Sequence, residues 1–323
     1  MPANSISVII PVYNGAATLA RAIGSVLSQD YTGSIEVIAV NDGSTDATAD
    51  ILENYDKCIE MVTQPNRGLA AARNAGAIRA SGELLAFLDA DDAWFPAKLA
   101  ILCAALRHKN NAVLAYSDIV AVGEDGLTQP QEFIREPLRH APSMDELLKR
   151  WWPILPSTVI MRREIFQRCG GFCEDYRRAY EDVDMWLRAR EFGEFIFVSE
   201  KLVRYRITPV TDRMRKYAND YPVFERRIRS RYQSRAGELI HSMRQAYVSE
   251  LGLEGLVALD DRDRQRARQA FLAAWRFDRW HLRTILRLVR TMLPWPLMRL
   301  LSRRTRKNSV SGDRGVANTG ICS

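Results

Sequence analysis

The stretch ELLAFLDADD, Glu83 to Asp92, passes from a continuous apolar run straight into three carboxylates within four positions. Aspartate forms strands poorly and is seldom buried without a partner. The run therefore reads as a buried strand, and the carboxylates mark where it leaves the sheet. Three acids at one strand end either repel one another or share something positive: a metal ion, a ligand, or only water. Four more apolar, β-branched runs lie around it, at Ile6–Val12, Ile35–Val40, Glu60–Thr63 and Ala112–Tyr116. Helical patterns fill the intervals at Ala17–Ser28, Ala47–Tyr55, Leu69–Ala80 and Pro96–Arg107. Strands that recur every ~25 residues with a helix between them are βα units. Their apolarity is continuous rather than alternating, which marks strands covered on both faces. The predicted fold is α/β: a doubly wound, mostly parallel sheet with helices on both faces.

In such a sheet, ligands bind beyond the carboxyl ends of the strands. The residues expected there are Tyr13 and Asn14, Asn41 and Asp42, Gln64 to Arg67, and Asp89 to Asp92. All are polar and all face one rim. Loops are polar anyway, so it is the concentration of acid that points to a site.

Beyond residue 120 the pattern changes. GEDGLTQPQEFIREPLRHAPS has no clear period and reads as a flexible or lid-like loop. A short strand, a helix and a Gly-Gly turn follow in WWPILPSTVIMRREIFQRCGGF, then a helix in YEDVDMWLRAREFG and a last strand in FIFVSEKLVRYRI. From about Asp212 the chain reads as helical and Arg-rich to near Arg306, and the final residues as disordered. The predicted organisation is a domain over 1–210, with a first half (1–120) and a second (121–210), then a basic helical extension (211–306) and a disordered tail (307–323).

The net charge of +7 conceals a division. Residues 1–100 hold six Lys/Arg against twelve Asp/Glu, whereas residues 279–323 hold ten against one. The Arg-rich segment 279–306, interleaved with Trp, Leu and Met and broken by Pro294 and Pro296, suits an anionic membrane surface. It suits equally a helical extension with a solvated basic face. Nucleic acid is not an expected partner, because the acidic first third supplies no basic face. Five scattered cysteines without zinc or CxxC spacing favour a reducing compartment. No basic segment precedes the first apolar run and no run is long enough to span a bilayer. The expected location is cytoplasmic, peripheral on the cytoplasmic face of the membrane if the tail binds lipid.

Four motifs carry chemistry. In NDGSTD, Asp42 can accept from an imide or amide edge such as uracil presents, and Ser44 or Thr45 can cap the next helix. In PNRGLAAARNAG, Arg67 and Arg73 suit phosphate or base edges near a helix N-terminus, although Arg73 can instead pair with the acidic rim. In LDADD, Asp89 and Asp91 can converge on Mg2+ or Mn2+, which one or two carboxylates hold together with substrate phosphates. A bridging divalent ion would let an acidic rim bind a polyanion. Alternatively, Asp92 caps a helix and Asp89 is solvated. In YEDVDMWLRA, Glu181, Asp182 and Asp184 occupy a first helical turn, where the dipole keeps a carboxylate ionised and an ionised Asp can act as a general base.

Taken in order, VIIPVYN, VNDGSTD, NRGLAAARNAG, FLDADD, and GGF followed by YEDVDMWLRA resemble glycosyltransferase family 2 over roughly residues 5–210. The resemblance implies a Rossmann-like fold and an inverting, metal-dependent transfer of one sugar from a nucleotide-diphospho-sugar to a saccharide or lipid-linked acceptor. It implies that Tyr13 and Asp42 contact the nucleoside and Arg73 lies near the base or ribose. Pro11, Asn14 and Glu181 would line the same donor site. Asp89 would face ribose and sugar and share the metal with Asp91, and Asp182 would deprotonate the acceptor hydroxyl. Two departures stand out. Tyr205-Arg206 is followed by Ile207, Thr208 and Pro209 where relatives often carry His, and the QxxRW motif of processive synthases is absent. A sugar-nucleotide-binding or membrane-scaffold protein without turnover is the competing reading, motivated by the missing His and the basic tail. A nucleotidyltransferase fits less well, because the first loop, VYNGAAT, lacks a Gly-rich, Lys/Arg-bearing character.

Overall fold

In the computed structural model, which describes residues 5–123, 154–177, 179–207, 210–260 and 262–277 together with 127, 128, 143, 146, 147, 286, 288 and 291, one eight-stranded sheet organises the chain. Its strands are β1 (Ile6–Val12), β2 (Ile35–Asn41), β3 (Glu60–Thr63), β4 (Leu84–Phe87), β5 (Ala93–Trp94), β6 (Ala112–Val122), β7 (Val159–Arg162) and β8 (Glu194–Arg206). They lie in the order β3-β2-β1-β4-β7-β6-β8-β5. The first four are mutually parallel, as predicted. The antiparallel strand β7 joins them to β6, which continues parallel to β8.

Helices cover both faces. The strands' alternation assigns each residue of β1 to a side. Ile6, Val8, Ile10 and Val12 pack with Leu19, Ile23 and Val26 of α1 (Leu19–Leu27) and with Leu99, Leu102 and Leu106 of α4 (Lys98–His108). α2 (Thr48–Glu53) adds Leu52 to that layer. Ile9 and Val40 face the other way, against Gly76 of α3 (Leu69–Arg79). A Cβ on Gly76 would fall 2.5 Å from Ile9 Cγ2, so glycine is what lets α3 lie close on the sheet.

Pro11 stands inside a central strand, where proline is unusual. Ile9 accepts from Leu88 on the β4 side, and Pro11, two residues on, turns its missing N–H to that same side. The β1–β4 ladder has already ended there, at Ile9 and Phe87, so no ladder bond is lost.

The remaining helices are α5 (Arg163–Cys169), α6 (Glu181–Arg190), α7 (Val210–Tyr232), α8 (Ala236–Asp260) and α9 (Arg264–Phe277). The chain divides into compact units at Met243/Arg244. The first of these units runs past residue 210 to Met243. Three arginines of α7 are used locally: Arg227 pairs with Asp184, Arg229 with Glu225 and Arg231 with Glu191. The second unit buries Ala258, Leu259, Ala267 and Phe271, with Leu256 and Leu288 against them. β6 runs to Val122, beyond Tyr116 where its apolar run was expected to end. Most of the expected loop, nearly all of 279–306 and the whole of 307–323 lie outside the described residues. Among the described residues, no helix is long and apolar enough to cross a membrane.

Candidate active site

The ends of β1, β2 and β4 form one rim. Its floor is two loops sewn together. Asn14, in the left-handed region at φ 51°, donates its N–H to Ser44 Oγ (2.9 Å), and its side-chain oxygen accepts from Thr45 N (2.8 Å). Asp46 accepts from Ala16 N (3.1 Å) and from Thr48 N (3.0 Å). Asp46 thus satisfies the opening of α2, the task expected of Ser44 or Thr45. The phenol of Tyr13 is left 52% exposed above this floor.

Asp42 is buried, and its carboxylate organises the next loop. Oδ1 accepts from Gln64 Nε2 (2.7 Å) and Arg67 N (2.9 Å), and Oδ2 from Gly68 N (2.8 Å). A carboxylate offers about four lone-pair sites. Three are taken here, which leaves one on Oδ2.

The three carboxylates of FLDADD do not converge. β4 ends at Phe87 and the chain turns, with Asp92 N bonded to the Asp89 carbonyl (3.0 Å). Asp89 turns toward α3 and accepts from Arg73 Nη2 (2.6 Å). Asp92 turns inward: it is 1% exposed, and its Oδ1 accepts the N–H of Arg206 at the end of β8 (2.8 Å). Burial, and then the neighbouring Asp91 and Asp89, push the Asp92 carboxyl well above the usual carboxylate range. It caps no helix, since α4 begins at Lys98. Asp91 remains half-buried on the rim side, and its carbonyl accepts from Arg21 Nη2 (2.9 Å).

Arg73 is the hub. Its side chain is 1% exposed, with Nη1 on Glu181 Oε1 (2.9 Å) and Nη2 on Asp89 Oδ1. Burial alone would lower its pKa, but Asp89 and Glu181 hold it above the usual guanidinium range. Arg73 thus takes the pairing with the acidic rim, one of the two fates open to it in the sequence. It joins the turn after β4 to the N-terminus of α6. Two neighbours in the same motif reinforce that join. Asn74 donates to the Phe172 carbonyl (2.8 Å) and accepts from Phe172 N (2.8 Å), and Arg67 pairs with Glu174 (2.8 Å).

Asp182 follows Glu181 in the first turn of α6. It keeps some open surface while lying deep among protein atoms. Burial first, then the adjacent Glu181, pushes its carboxyl up to about 7, against the lowering pull of Arg73. Burial thus works against the helix dipole expected to keep this carboxyl ionised. Asp184, two positions on, points away from the rim into Arg188 (2.6 Å) and Arg227 (2.9 Å).

Sequence reasoning missed Ser157, whose hydroxyl accepts from Asp89 N (3.1 Å). It also missed Tyr180, a fully buried residue at φ 70° directly before Glu181. A left-handed conformation costs a non-glycine residue about 1–2 kcal/mol. No glycine marks the position, so the sequence carries no signal for it. Among the described residues, no group of three or more His, Cys, Asp or Glu is placed to hold a metal ion.

The chain is similar to glycosyltransferases in sequence and to a solved structure in fold. An uncharacterized glycosyltransferase of Rickettsia typhi is 31% identical over 62% of this chain, which spans 64% of that protein's length. One from Nostoc is 29% identical over 90% of this chain and 89% of its own. The crystal structure of S. aureus TarS 1–349 in complex with UDP-GlcNAc superposes with a TM-score of 0.59 at 17% identity, covering 94% of this chain and 92% of TarS 1–349, and so shares the fold. The family model described as Glycosyl transferase family 2 matches residues 7–170, about half of the chain, and the chain belongs to that family.

Proposed function

We propose that the chain is an inverting glycosyltransferase that moves one sugar from a UDP-sugar to an acceptor hydroxyl. The observation that carries this reading is the placement of Asp182. A carboxyl held at about 7 sits at the N-terminus of α6. Through Glu181, Arg73 and Asp89 it is tied to the end of β4, where donors bind in sheets of this kind. A base poised near neutral pH combines the right protonation state with enough driving force to take a hydroxyl proton. In this reading Asp182 removes the acceptor proton while the nucleotide diphosphate departs from the opposite face of the sugar. Inversion at the anomeric carbon follows.

The donor side supports the same assignment. Tyr13 offers an exposed ring for stacking on a base, with Pro11 and Asn14 holding its loop. The remaining lone pair of Asp42 suits a single imide N–H. TarS, solved with UDP-GlcNAc, lends the nucleotide-sugar class to this proposal.

The donor set also fits a divalent cation of hard oxygen chemistry. Asp91 would hold Mn2+ or Mg2+ with substrate phosphates and water completing the shell, and Asp89, turned to Arg73, would join it only on leaving that guanidinium. Such an ion, when bound, offsets charge on the leaving diphosphate. The acceptor is proposed to be a saccharide or lipid-linked hydroxyl, and residues 279–306 to offer a basic contact to an anionic membrane surface.

The test is calorimetric binding of UDP, GDP and CDP with and without Mn2+, on wild type and Asp91→Ala, followed by transfer assays on Asp182→Asn. UDP-selective, metal-dependent binding that Asp91→Ala loses, with transfer lost in Asp182→Asn, is the expected result. Transfer that survives both substitutions would overturn the mechanism. Tight UDP binding without turnover across donors and acceptors would favour a non-catalytic binding protein.

A further inference from the structure

Helix α7 lies beyond the last strand and outside the residues matched to the family. One of its faces is nevertheless devoted to the turn that carries Glu181 and Asp182. Tyr217, Asp220, Phe224 and Arg227 are spaced three or four residues apart, so they line a single stripe of the helix. Each meets the segment 176–184. Phe224 stacks on the ring of Tyr180 at 4.8 Å, and Tyr217 meets the same ring edge-on at 5.1 Å. Asp220 Oδ2 accepts the N–H groups of Arg177 (3.1 Å) and Ala179 (2.9 Å). Arg227 reaches Asp184 with Nε (2.9 Å) and Nη2 (3.3 Å).

Tyr180 sits at the centre of this grip, in the left-handed region at φ 70° and fully buried. A bulky residue stays in that conformation only where its surroundings over-determine it. The conformation matters because Tyr180 is the residue from which α6 starts: its carbonyl takes the N–H of Asp184 (2.9 Å). The direction in which Asp182 leaves the backbone is therefore set at Tyr180.

We infer that the α7 stripe clamps the Tyr180 turn and so aims the Asp182 carboxylate at the acceptor, making Asp220, Phe224 and Tyr217 positioning residues. This rests on the transferase reading for what Asp182 does, but not for the clamp itself. The clamp holds the base and leaves the donor floor of Tyr13, Asn14 and Asp42 untouched. Its loss should lower turnover without weakening nucleotide binding.

The experiment uses the full chain with Asp220→Ala and Phe224→Ala as disruptive variants, and Asp220→Asn and Phe224→Tyr as conservative ones. Amide hydrogen exchange over 177–184, UDP affinity by calorimetry, and kcat and KM for UDP release from UDP-GlcNAc are measured side by side. In the two alanine variants exchange over 177–184 should quicken by about tenfold or more. UDP affinity and KM should stay within about threefold while kcat falls by about tenfold or more. The conservative variants should return toward wild type on every readout. Unchanged exchange in the alanine variants overturns the clamp. Faster exchange with kcat unchanged overturns the positioning role. A wild-type protein that neither binds UDP nor releases it from the donor sinks the transferase reading, and the positioning role with it.

Discussion

Replacing Arg73 with Met tests the hub of the site. The substitution keeps an unbranched side chain but removes the charge that two carboxylates share. The Glu181 side chain is 8% exposed, so it cannot turn to water when its partner goes. Stripping one partner from a buried ion pair costs about 3–5 kcal/mol. Asp89 is 25% exposed and can recover part of its solvation, so its share is nearer the ~1 kcal/mol of a surface pair. A total of about 4–6 kcal/mol, in a compact unit running to Met243, corresponds to a fall in Tm of about 8–24 °C. The deficit should also depend on pH. The folded-state pKa of Asp182 is raised, so the native state binds more protons than the unfolded chain between the ordinary carboxylate range and about 7. Stability from this group is therefore lost as pH rises through that window. Removing Arg73 takes away a lowering influence and extends the window upward. Thermal unfolding followed from pH 5 to pH 8, each approximate and chosen to bracket the window, should show the gap between variant and wild type widening. Arg73→Lys keeps the charge and should fall between the two. A fall of less than about 3 °C, or a gap indifferent to pH, would refute the argument that a buried triad ties the two halves of the site.

Three further outcomes follow from the same geometry. Asp182→Asn should abolish transfer while leaving UDP affinity unchanged, and wild-type kcat/KM should rise with pH through about 7, as steady-state profiles can show. Asp91→Ala should remove the Mn2+-dependent part of UDP binding in calorimetry and leave the metal-free part. Gly76→Ala puts a methyl 2.5 Å from Ile9 Cγ2 and 3.2 Å from Val40 Cγ2, and denaturant unfolding should show a loss of about 1–3 kcal/mol from overpacking.

The parallel half of the sheet was legible because its signals are local. Continuous apolar runs, helical intervals and strand-end polar residues place β1 to β4 and α1 to α4 within a few residues of where they lie. What escaped depends on partners far away in the chain. VIMR reads as a strand, but nothing in it says that it will run antiparallel between β4 and β6. Ala93–Trp94 is too short to announce itself and becomes a strand only because β8 offers Arg204 and Val203 as partners. Among the described residues the helical reading from Asp212 holds as far as Phe277. It cannot tell that α7 packs on the segment bearing Asp182, since Tyr217, Asp220 and Phe224 are ordinary residues for any helix face.

The carboxylates show the same division at the level of chemistry. Sequence reveals that Asp89, Asp91 and Asp92 crowd a strand end, and that arginines lie in the preceding motif. It does not reveal that the turn after Phe87 sends one to a guanidinium and one into the interior against β8, while Asp91 stays half-buried. Asp91 and Asp89 still push the Asp92 carboxyl upward, so the repulsion is met by burial of Asp92 and by Arg73 on Asp89 rather than by one positive partner that holds all three. Asp89 leans on Arg73, Arg73 leans on Glu181, and Glu181 raises the carboxyl beside it. A donor that draws Asp89 away would thereby change the field at Asp182. Two motifs some ninety residues apart thus act as one electrostatic unit, joined through an arginine supplied by a third.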